Sequence, residues 1–155
     1  MNEISSRAFA VADGEGRATW FAGALMVEKA AGGGFDLLDQ TVPPDYSPPR
    51  HVHRHEDEAW YLLEGEATFW CGEQTLQAER GGFVFLPRGV EHCFKIGPSG
   101  ARLLTFTFPS GFARFVEEAG RPAAELRVPD PEPPDPARLG AIAAGHGIDI
   151  TGPPA

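Results

Sequence analysis

Residues 49–58 read PRHVHRHEDE, with three histidines at every second position and acidic residues directly after them. If His51 and His53 lie on a strand, both side chains leave the same face of the sheet, about 7 Å apart. Two neutral imidazoles on one face, with the carboxylate of Glu58 nearby, suit a borderline divalent metal. His55 continues the alternation, but it falls where the chain should turn towards Glu58. We therefore expect His55 at the rim of the site or supporting a ligand, with substitute ligand as the alternative.

A second segment, residues 81–92, reads GGFVFLPRGVEH. Its apolar run is typical of a strand, Pro87 and Gly89 then turn the chain, and His92 follows. Cys93 comes next and would point to the opposite face from His92, which argues against its being a ligand. The second segment therefore adds one candidate ligand, His92, to those of the first.

Together the two segments resemble the paired motifs of the cupin superfamily. The first motif, G-x5-H-x-H-x3/4-E-x6-G, is matched from His51 onwards, although Asp45 stands at its leading Gly. The second motif, G-x5-P-x-G-x2-H-x3-N, is matched from Gly81 onwards, although Ile96 stands at its closing Asn. Neither departure falls on a ligand position of the family. The resemblance implies one divalent transition metal per chain (Fe, Ni, Mn, Co or Zn) with four ligands: His51, His53, Glu58 and His92.

The resemblance also implies an all-β fold, a single cupin barrel of the double-stranded β-helix or jelly-roll type. The composition is consistent with it, because 155 residues fit one domain and 19 Gly with 15 Pro favour many short strands. We predict the barrel in residues 1–109, with the metal-binding motifs in residues 45–65 and 81–96. Residues 8–11 are expected to form a short apolar strand before them.

Residues 110–155 have a different pattern, which predicts a short helical tail packed on the barrel. Ser110 is expected to cap a first helix whose apolar face must be buried. A Pro-rich acidic linker follows at residues 129–136. Asp135 is expected to cap a second helix, and residues 148–150 to form a short strand.

Charge and hydropathy exclude several classes of partner. The net charge of −9 disfavours binding to nucleic acid or to an anionic membrane. No apolar run approaches the roughly 18 residues of a membrane span, and the N-terminus lacks the layout of a signal peptide. We therefore expect a soluble, cytoplasmic protein in which Cys71 and Cys93 are buried and reduced. We also expect a homodimer, because small barrels have open strand edges and the N-terminal strands could cover a partner's sheet.

The predicted site favours a small-molecule substrate and O₂. Three His and one Glu leave one or two positions open on a five- or six-coordinate metal, unlike a closed structural zinc site. The two motifs and the adjoining strands are rich in aromatic residues, among them Phe83, Phe85 and Phe108. A flat aromatic substrate would therefore fit better than a phosphorylated sugar. The alternative is that these aromatics fill the barrel core. The predicted substrate pocket consists of His55, Trp60, Phe69, Phe94 and Phe106.

Within the cupins, the two motifs and the Pro-rich helical tail are similar to those of small quercetin 2,3-dioxygenase-like proteins. This resemblance implies metal-dependent, O₂-using cleavage of a flavonol with release of carbon monoxide. The metal would bind the deprotonated 3-hydroxyl and O₂, and Glu58 would be both ligand and catalytic general base. A carboxylate can take that role at neutral pH if burial raises its pKa.

Two other classes of function stay open at this point. One is a different metal-dependent enzyme on the same barrel, such as a lyase, an isomerase, or a thiol or diketone dioxygenase. The other is a non-catalytic module that binds a small molecule or a metal for sensing. No DNA-binding element accompanies the barrel in the sequence, which disfavours a regulator.

Overall fold

The computed structural model describes residues 3–155, and strands dominate them. The elements in chain order are β1 (Arg17–Phe21), β2 (Ala24–Ala30), β3 (Asp36–Val42), β4 (Arg50–His53), β5 (Asp57–Glu64), β6 (Glu66–Cys71), β7 (Gln74–Glu79), β8 (Phe83–Leu86), β9 (His92–Ile96), β10 (Ala101–Phe108), α1 (Phe112–Ala119), β11 (Arg121–Pro122), α2 (Pro136–Gly145) and β12 (Ile148–Gly152).

The strands form two antiparallel sheets whose buried faces meet in a common core. The first sheet has the order β11-β1-β2-β3-β10-β5-β8, and the second has the order β12-β4-β9-β6-β7. The core contains Trp60, Leu62 and Leu103 from the first sheet and Phe69 and Phe94 from the second. Strands distant in sequence, such as β3 and β10, are neighbours, as in a jelly roll. The predicted all-β jelly-roll barrel is therefore confirmed.

Alternation along β5 and β10 determines which side chains reach the interior. Glu58 and Trp60 are buried on β5, whereas Tyr61 is exposed. On β10, Thr105 and Thr107 are buried. The register pairs Thr105 with Trp60 and Thr107 with Glu58. Polar groups of the two strands are therefore direct neighbours on the interior face.

The strand predicted at residues 8–11 is absent from the structure. Phe9 is exposed, and none of these residues pairs with a strand. β1, the strand that follows this segment, already pairs with β2 on one side and with β11 on the other, so it offers no free edge. The prediction of a strand here is wrong because a short apolar run needs a free edge to satisfy its backbone groups.

Helix α1 is capped from another strand and not by Ser110 as predicted. The Asp36 carboxylate on β3 accepts the backbone N–H of Gly111 at 2.8 Å and of Ala113 at 2.9 Å. Ser110 Oγ instead donates to the Gly33 carbonyl at 3.2 Å. The helix is present where its apolar spacing predicts it, but its cap comes from a residue far away in sequence.

Both helices pack close to the barrel. The apolar face of α1 forms a second core cluster that includes Phe21 and Met26. Helix α2 is capped by Asp135, whose carboxylate accepts the N–H of Arg138 at 3.1 Å, as predicted. In the described part of the chain, neither helix has the length and apolar character that a membrane crossing requires.

The last strand of the chain lies directly beside the histidine segment. β12 pairs with β4 in a register that sets Ile148 opposite His53 and Ile150 opposite His51. Residues near the C-terminus therefore border the strand that carries the first two candidate ligands. The division of the chain between residues 109 and 110 remains a prediction.

Candidate metal centre

Four side chains from three strands converge on one point inside the barrel. β4 carries His51 and His53, β5 carries Glu58, and β9 carries His92. One donor atom from each residue lies within 4.8 Å of the others. The pairing of β4 with β9 sets His51 opposite His92, with ring centroids 4.4 Å apart. The structure thus brings together the four residues that the motifs predict as ligands, and they could hold a metal ion.

Each imidazole is oriented by a hydrogen bond from its Nδ1–H to an oxygen a few residues away. The acceptors are Pro49 O for His51 (2.6 Å), Glu56 Oε2 for His53 (3.3 Å) and Val90 O for His92 (3.3 Å). A donor bond at Nδ1 turns Nε2 towards the centre, where it can bind a metal.

The inward-facing atoms are buried and lack hydrogen-bond partners of good geometry. His53 Nε2 and His92 Nε2 lie 3.1 and 2.7 Å from Glu58 Oε2, yet none of the three atoms makes a well-directed hydrogen bond among the described residues. Buried polar atoms in folded proteins usually have at least one hydrogen-bond partner. A cation that accepts all their lone pairs would satisfy them together, so the donor set fits a divalent transition metal.

Burial and mutual charge shift the pKa values of the cluster when no metal is bound. Burial opposes ionisation of Glu58, but His53 and His92 outweigh it and hold the pKa of Glu58 well below its usual range. Burial also opposes protonation of His53, but Glu58 and Glu56 raise the pKa of His53 to about 10. Burial and the nearby His92 lower the pKa of His51 to about 4. Glu58 is therefore anionic, as a ligand must be. The expectation that burial raises its pKa, as a general base at neutral pH requires, is not met in the metal-free cluster, because the pKa is lowered.

Comparison with known proteins relates this arrangement to a family. Residues 38–107, which include all four converging side chains, match the family model described as Cupin domain. This part of the chain is similar to a cupin domain. A curated relative, quercetin 2,3-dioxygenase from Bacillus subtilis (strain 168), is 25% identical over 98 residues, which are 63% of this chain and 29% of the relative. The chain therefore spans less than a third of that relative's length.

Solved structures resemble the cupin domain in fold at low sequence identity. KdgF from Halomonas sp. has a TM-score of 0.61 at 12% identity, over 69% of this chain and 99% of its own. An RmlC-like cupin from Shewanella frigidimarina NCIMB 400 has a TM-score of 0.58 at 19% identity, over 71% of this chain and 96% of its own. At these identities the likeness concerns the fold alone.

Glu56, which the sequence argument did not single out, supports the cupin centre more directly than His55 does. Its carboxylate is buried and binds His53 Nδ1. A carboxylate behind a metal-binding imidazole is a frequent arrangement, and Glu56 stands three residues after His53. The exposed ring of His55 instead packs against Gly147, where an added Cβ would lie 2.5 Å from its Cδ2. His55 is not among the four converging residues.

A small apolar cavity lies beside the four converging residues. It encloses about 60 Å³, and Trp60 and Phe94 contribute to its lining. Gln40, Thr105 and Trp60, through its indole N–H, are its fully buried polar members outside the ligand set. The tail closes it with the side chains of Phe112, Phe115, Leu139, Ile148 and Ile150. The centre is therefore shielded from water by residues that follow the barrel in sequence.

The other predicted pocket residues lie outside this cavity. Phe69 is fully buried behind it, in contact with the rings of Trp60 and Phe94. Phe106 lies on the outer face of β10 and stacks on Phe108, because alternation turns Thr105 inwards. The structure therefore retains Trp60 and Phe94 at the cavity and places Phe106 and His55 elsewhere. Three further aromatics named from the sequence are exposed on the outer surface: Phe83, Phe85 and Phe108.

Proposed function

We propose that this protein is a metal-dependent dioxygenase that cleaves an aromatic substrate such as a flavonol, in the manner of quercetin 2,3-dioxygenases. The observation that carries the proposal is the convergence of three imidazole nitrogens and one carboxylate oxygen beside an apolar cavity. Four protein ligands leave room for exogenous ligands on a five- or six-coordinate metal. The likeness to the curated Bacillus subtilis enzyme supports the substrate class.

In this proposal a bound divalent metal supplies Lewis acidity and the ability to engage O₂. His51, His53 and His92 would hold it through the ring nitrogens that face the centre, with Nδ1 of each ring fixed as described. Glu58 is anionic, so it would bind the metal. Its lowered pKa belongs to the metal-free cluster, where His53 and His92 cause it, and Glu58 would accept the proton of a substrate hydroxyl only once a bound metal replaces the protons on those rings. The cavity's apolar lining orients the substrate and excludes water from the reacting atoms.

The size of the cavity favours a second candidate. A volume of about 60 Å³ is far below the roughly 300 to 1,000 Å³ of pockets that hold drug-sized ligands. A flavonol would therefore enter only after the tail side chains move. A smaller molecule needs less movement, which favours another metal-dependent cupin enzyme such as a diketone or thiol dioxygenase, a lyase or an isomerase.

The proposal includes a cytoplasmic location and a homodimer. Both cysteines are free and buried, which supports a reducing compartment. An exposed aromatic surface on β5, β8 and β10, beside the open edge of β8, supports self-association.

The test is O₂ uptake by the full chain loaded in turn with Fe²⁺, Ni²⁺, Mn²⁺, Co²⁺ and Zn²⁺. The substrate panel contains a flavonol, acetylacetone and a small thiol, and carbon monoxide is measured in the gas phase. We expect metal-dependent uptake with the flavonol, one carbon monoxide per O₂, and loss of turnover in Glu58→Gln at saturating metal. Uptake with acetylacetone or the thiol alone would transfer the assignment to the second candidate. No uptake with any metal and substrate would contradict the dioxygenase proposal.

A further inference from the structure

Three polar side chains interrupt the apolar interior face of the first sheet. Gln40 on β3, Thr105 on β10 and Trp60 on β5 are each at most 3% exposed. All three line the cavity beside the metal centre. They lie on neighbouring strands, because β10 runs between β3 and β5, and Thr105 is the register partner of Trp60. The three side chains therefore form one polar strip across the sheet.

The indole N–H of Trp60 is a buried donor without an acceptor in the described part of the chain. The rings around it belong to Phe69, Phe94 and His92, with centroids 5.3, 5.8 and 6.2 Å away. The phenylalanine rings carry no oxygen or nitrogen, and His92 uses Nδ1 on Val90 and turns Nε2 towards Glu58. A buried donor of this kind is costly to keep, so it indicates a partner that arrives from outside the chain.

Gln40 supplies the second donor. Thr105 Oγ1 donates to Gln40 Oε1 at 2.8 Å, which engages the carbonyl end of the amide. The NH₂ end of Gln40 is then the end that can donate to a molecule in the cavity. Apart from the metal-ligand residues, most of the lining is apolar. Two donors in such surroundings select an oxygen acceptor, and an anionic oxygen binds them best.

We propose that Trp60 and Gln40 recognise the anionic oxygen of a small ligand that binds at the metal centre. Trp60 Nε1–H and the Gln40 amide donate to that oxygen, and Thr105 fixes the orientation of the amide. The ligand is a small carboxylate or enolate with an apolar body, because the cavity is about 60 Å³ and its walls are apolar. This inference rests on the proposed metal site, but it requires no reaction with O₂.

The first test observes the indole group itself. The full chain is labelled with ¹⁵N, prepared metal-free and with diamagnetic Zn²⁺, and titrated with sodium acetate. The chain has three Trp, and Trp60→Phe identifies the Trp60 indole signal by its loss. We expect the Trp60 indole proton to move downfield as acetate saturates. The indole signal of Trp20, which already donates to the Arg127 carbonyl at 2.8 Å, should stay in place.

The two preparations separate failure of this inference from failure of the proposed function. A Trp60 shift in the zinc-loaded protein supports recognition at a metal centre. A shift in a protein that fails to bind zinc supports anion recognition and contradicts the metal-dependent function. An unchanged Trp60 signal in both preparations at saturating acetate would overturn the inference, and this readout holds even if a variant fails to fold.

The second test compares acetate affinities by calorimetry on zinc-loaded protein. Trp60→Phe and Gln40→Leu should each weaken acetate binding by about fivefold, the typical effect of one hydrogen bond. Zinc affinity should stay unchanged in both. Trp70→Phe is the matched control, because Trp70 is half-buried on β6 and does not line the cavity. Wild-type acetate affinity in both cavity variants, with Trp60→Phe folded, would overturn the inference.

Discussion

Glu56 and Glu58 are two positions apart, but they act on His53 from opposite sides. Glu56 Oε2 binds Nδ1 at 3.3 Å, whereas Glu58 Oε2 lies 3.1 Å from Nε2. Both carboxylates are buried. Glu56 therefore orients the imidazole of His53, and Glu58 lies where it and His53 could bind the same metal ion. A single acidic run supplies both a candidate ligand and the group that holds its neighbour in place.

Replacing Glu56 by Gln should weaken Zn²⁺ binding by about 10- to 100-fold, because the neutral amide supports the imidazole less well. Competition with a chromophoric chelator measures the affinity. Asp57→Asn is the matched control, since the Asp57 carboxylate binds Arg88 at 3.0 Å and does not contact the cluster. Equal zinc affinity in the two variants would show that Glu56 has no role in orienting His53.

The raised pKa of His53 predicts how the stability of the metal-free protein varies with pH. A histidine whose folded pKa is about 10 stabilises the fold fully below its usual value of 6.5, and this contribution is lost as the pH rises towards 10. His51 has the opposite sign, because its pKa of about 4 removes stability as the pH falls from 6.5 to 4. We expect the melting temperature with EDTA to fall from pH 6.5 to 9.

The melting temperature of the zinc-loaded protein should not fall between pH 6.5 and 9. The metal takes the place of the proton on His53 and binds more tightly as the pH rises. Calorimetric melting at matched pH values, with EDTA or with Zn²⁺, makes the comparison. His53→Gln in EDTA is the control, and its melting temperature should vary less between pH 6.5 and 9. Parallel curves for the metal-free and zinc-loaded proteins would contradict the account.

Residue spacing predicted the four converging side chains but not their supporting groups. His51, His53, Glu58 and His92 follow a motif that can be read along the chain. Gln40 and Thr105 were missed because their contact joins β3 to β10, which are neighbours only after the jelly roll closes. Glu56 was within the acidic run, but its inward direction depends on the turn between β4 and β5.

The helical tail contacts the barrel at the segment that carries His51 and His53. Phe112 of α1 lies 5.7 Å from the His53 ring between centroids, and β12 pairs with the strand of His51 and His53. Arg54 also forms a bidentate ion pair with Asp149 of β12, with both N–O distances at 2.6 Å. The exposed ion pair contributes little energy, so apolar packing holds the tail in place.

The Asp36 cap predicts that a substitution in β3 will loosen α1. The Asp36 carboxylate accepts the backbone N–H groups of Gly32, Gly111 and Ala113. Asp36→Asn should lower the free energy of unfolding by about 2 kcal/mol, because an amide has only one oxygen to accept these three hydrogen bonds. Urea unfolding measures the change. Ser110→Ala, at the cap position that the sequence favoured, should cost less than about 0.5 kcal/mol. The reverse order of the two effects would mean that Ser110 caps α1 after all.

Local signals predicted those elements whose ends depend on local chemistry. Helix α2 begins after the Asp135–Pro136 pair, as expected from the capping chemistry of these two residues. The strand expected at residues 8–11 and the cap of α1 depend on which edges and carboxylates the rest of the fold provides. Such tertiary choices leave no trace in a short stretch of sequence.

One outer surface of the molecule is rich in aromatic side chains. Tyr61, Phe83, Phe85 and Phe108 are 37 to 64% exposed on the outer face of β5, β8 and β10. β8 is one edge of the first sheet, and the two-residue strand β11 is the other, so the N-terminal strand β1 is not an edge. This arrangement moves the proposed dimer contact from the N-terminal strands to β8. The exposed half of four aromatic side chains is roughly 400 Å² per chain, or about 800 Å² for two chains. The smallest specific interfaces bury about 1,000 Å² in total, so this surface would supply most of that area.

We expect light scattering to give twice the 16.7 kDa mass of one chain. The double substitution Phe83→Ser and Phe85→Ser should shift the protein to the monomer with little loss of stability, because both side chains are about half exposed or more. Leu126→Ser is the control at an exposed apolar residue outside this surface. A monomeric wild-type protein at micromolar concentration would refute the dimer.

Metal content measures whether the four converging side chains bind a metal, without any assay of activity. The full chain is incubated with one equivalent each of Fe²⁺, Ni²⁺, Mn²⁺, Co²⁺ and Zn²⁺ without O₂, dialysed, and measured by mass spectrometry of the elements. We expect about one metal per chain in the wild type and in His55→Ala, and less than about a tenth of that in His92→Ala. Equal metal content in His92→Ala and the wild type, or no metal in the wild type, would contradict the proposed metal centre.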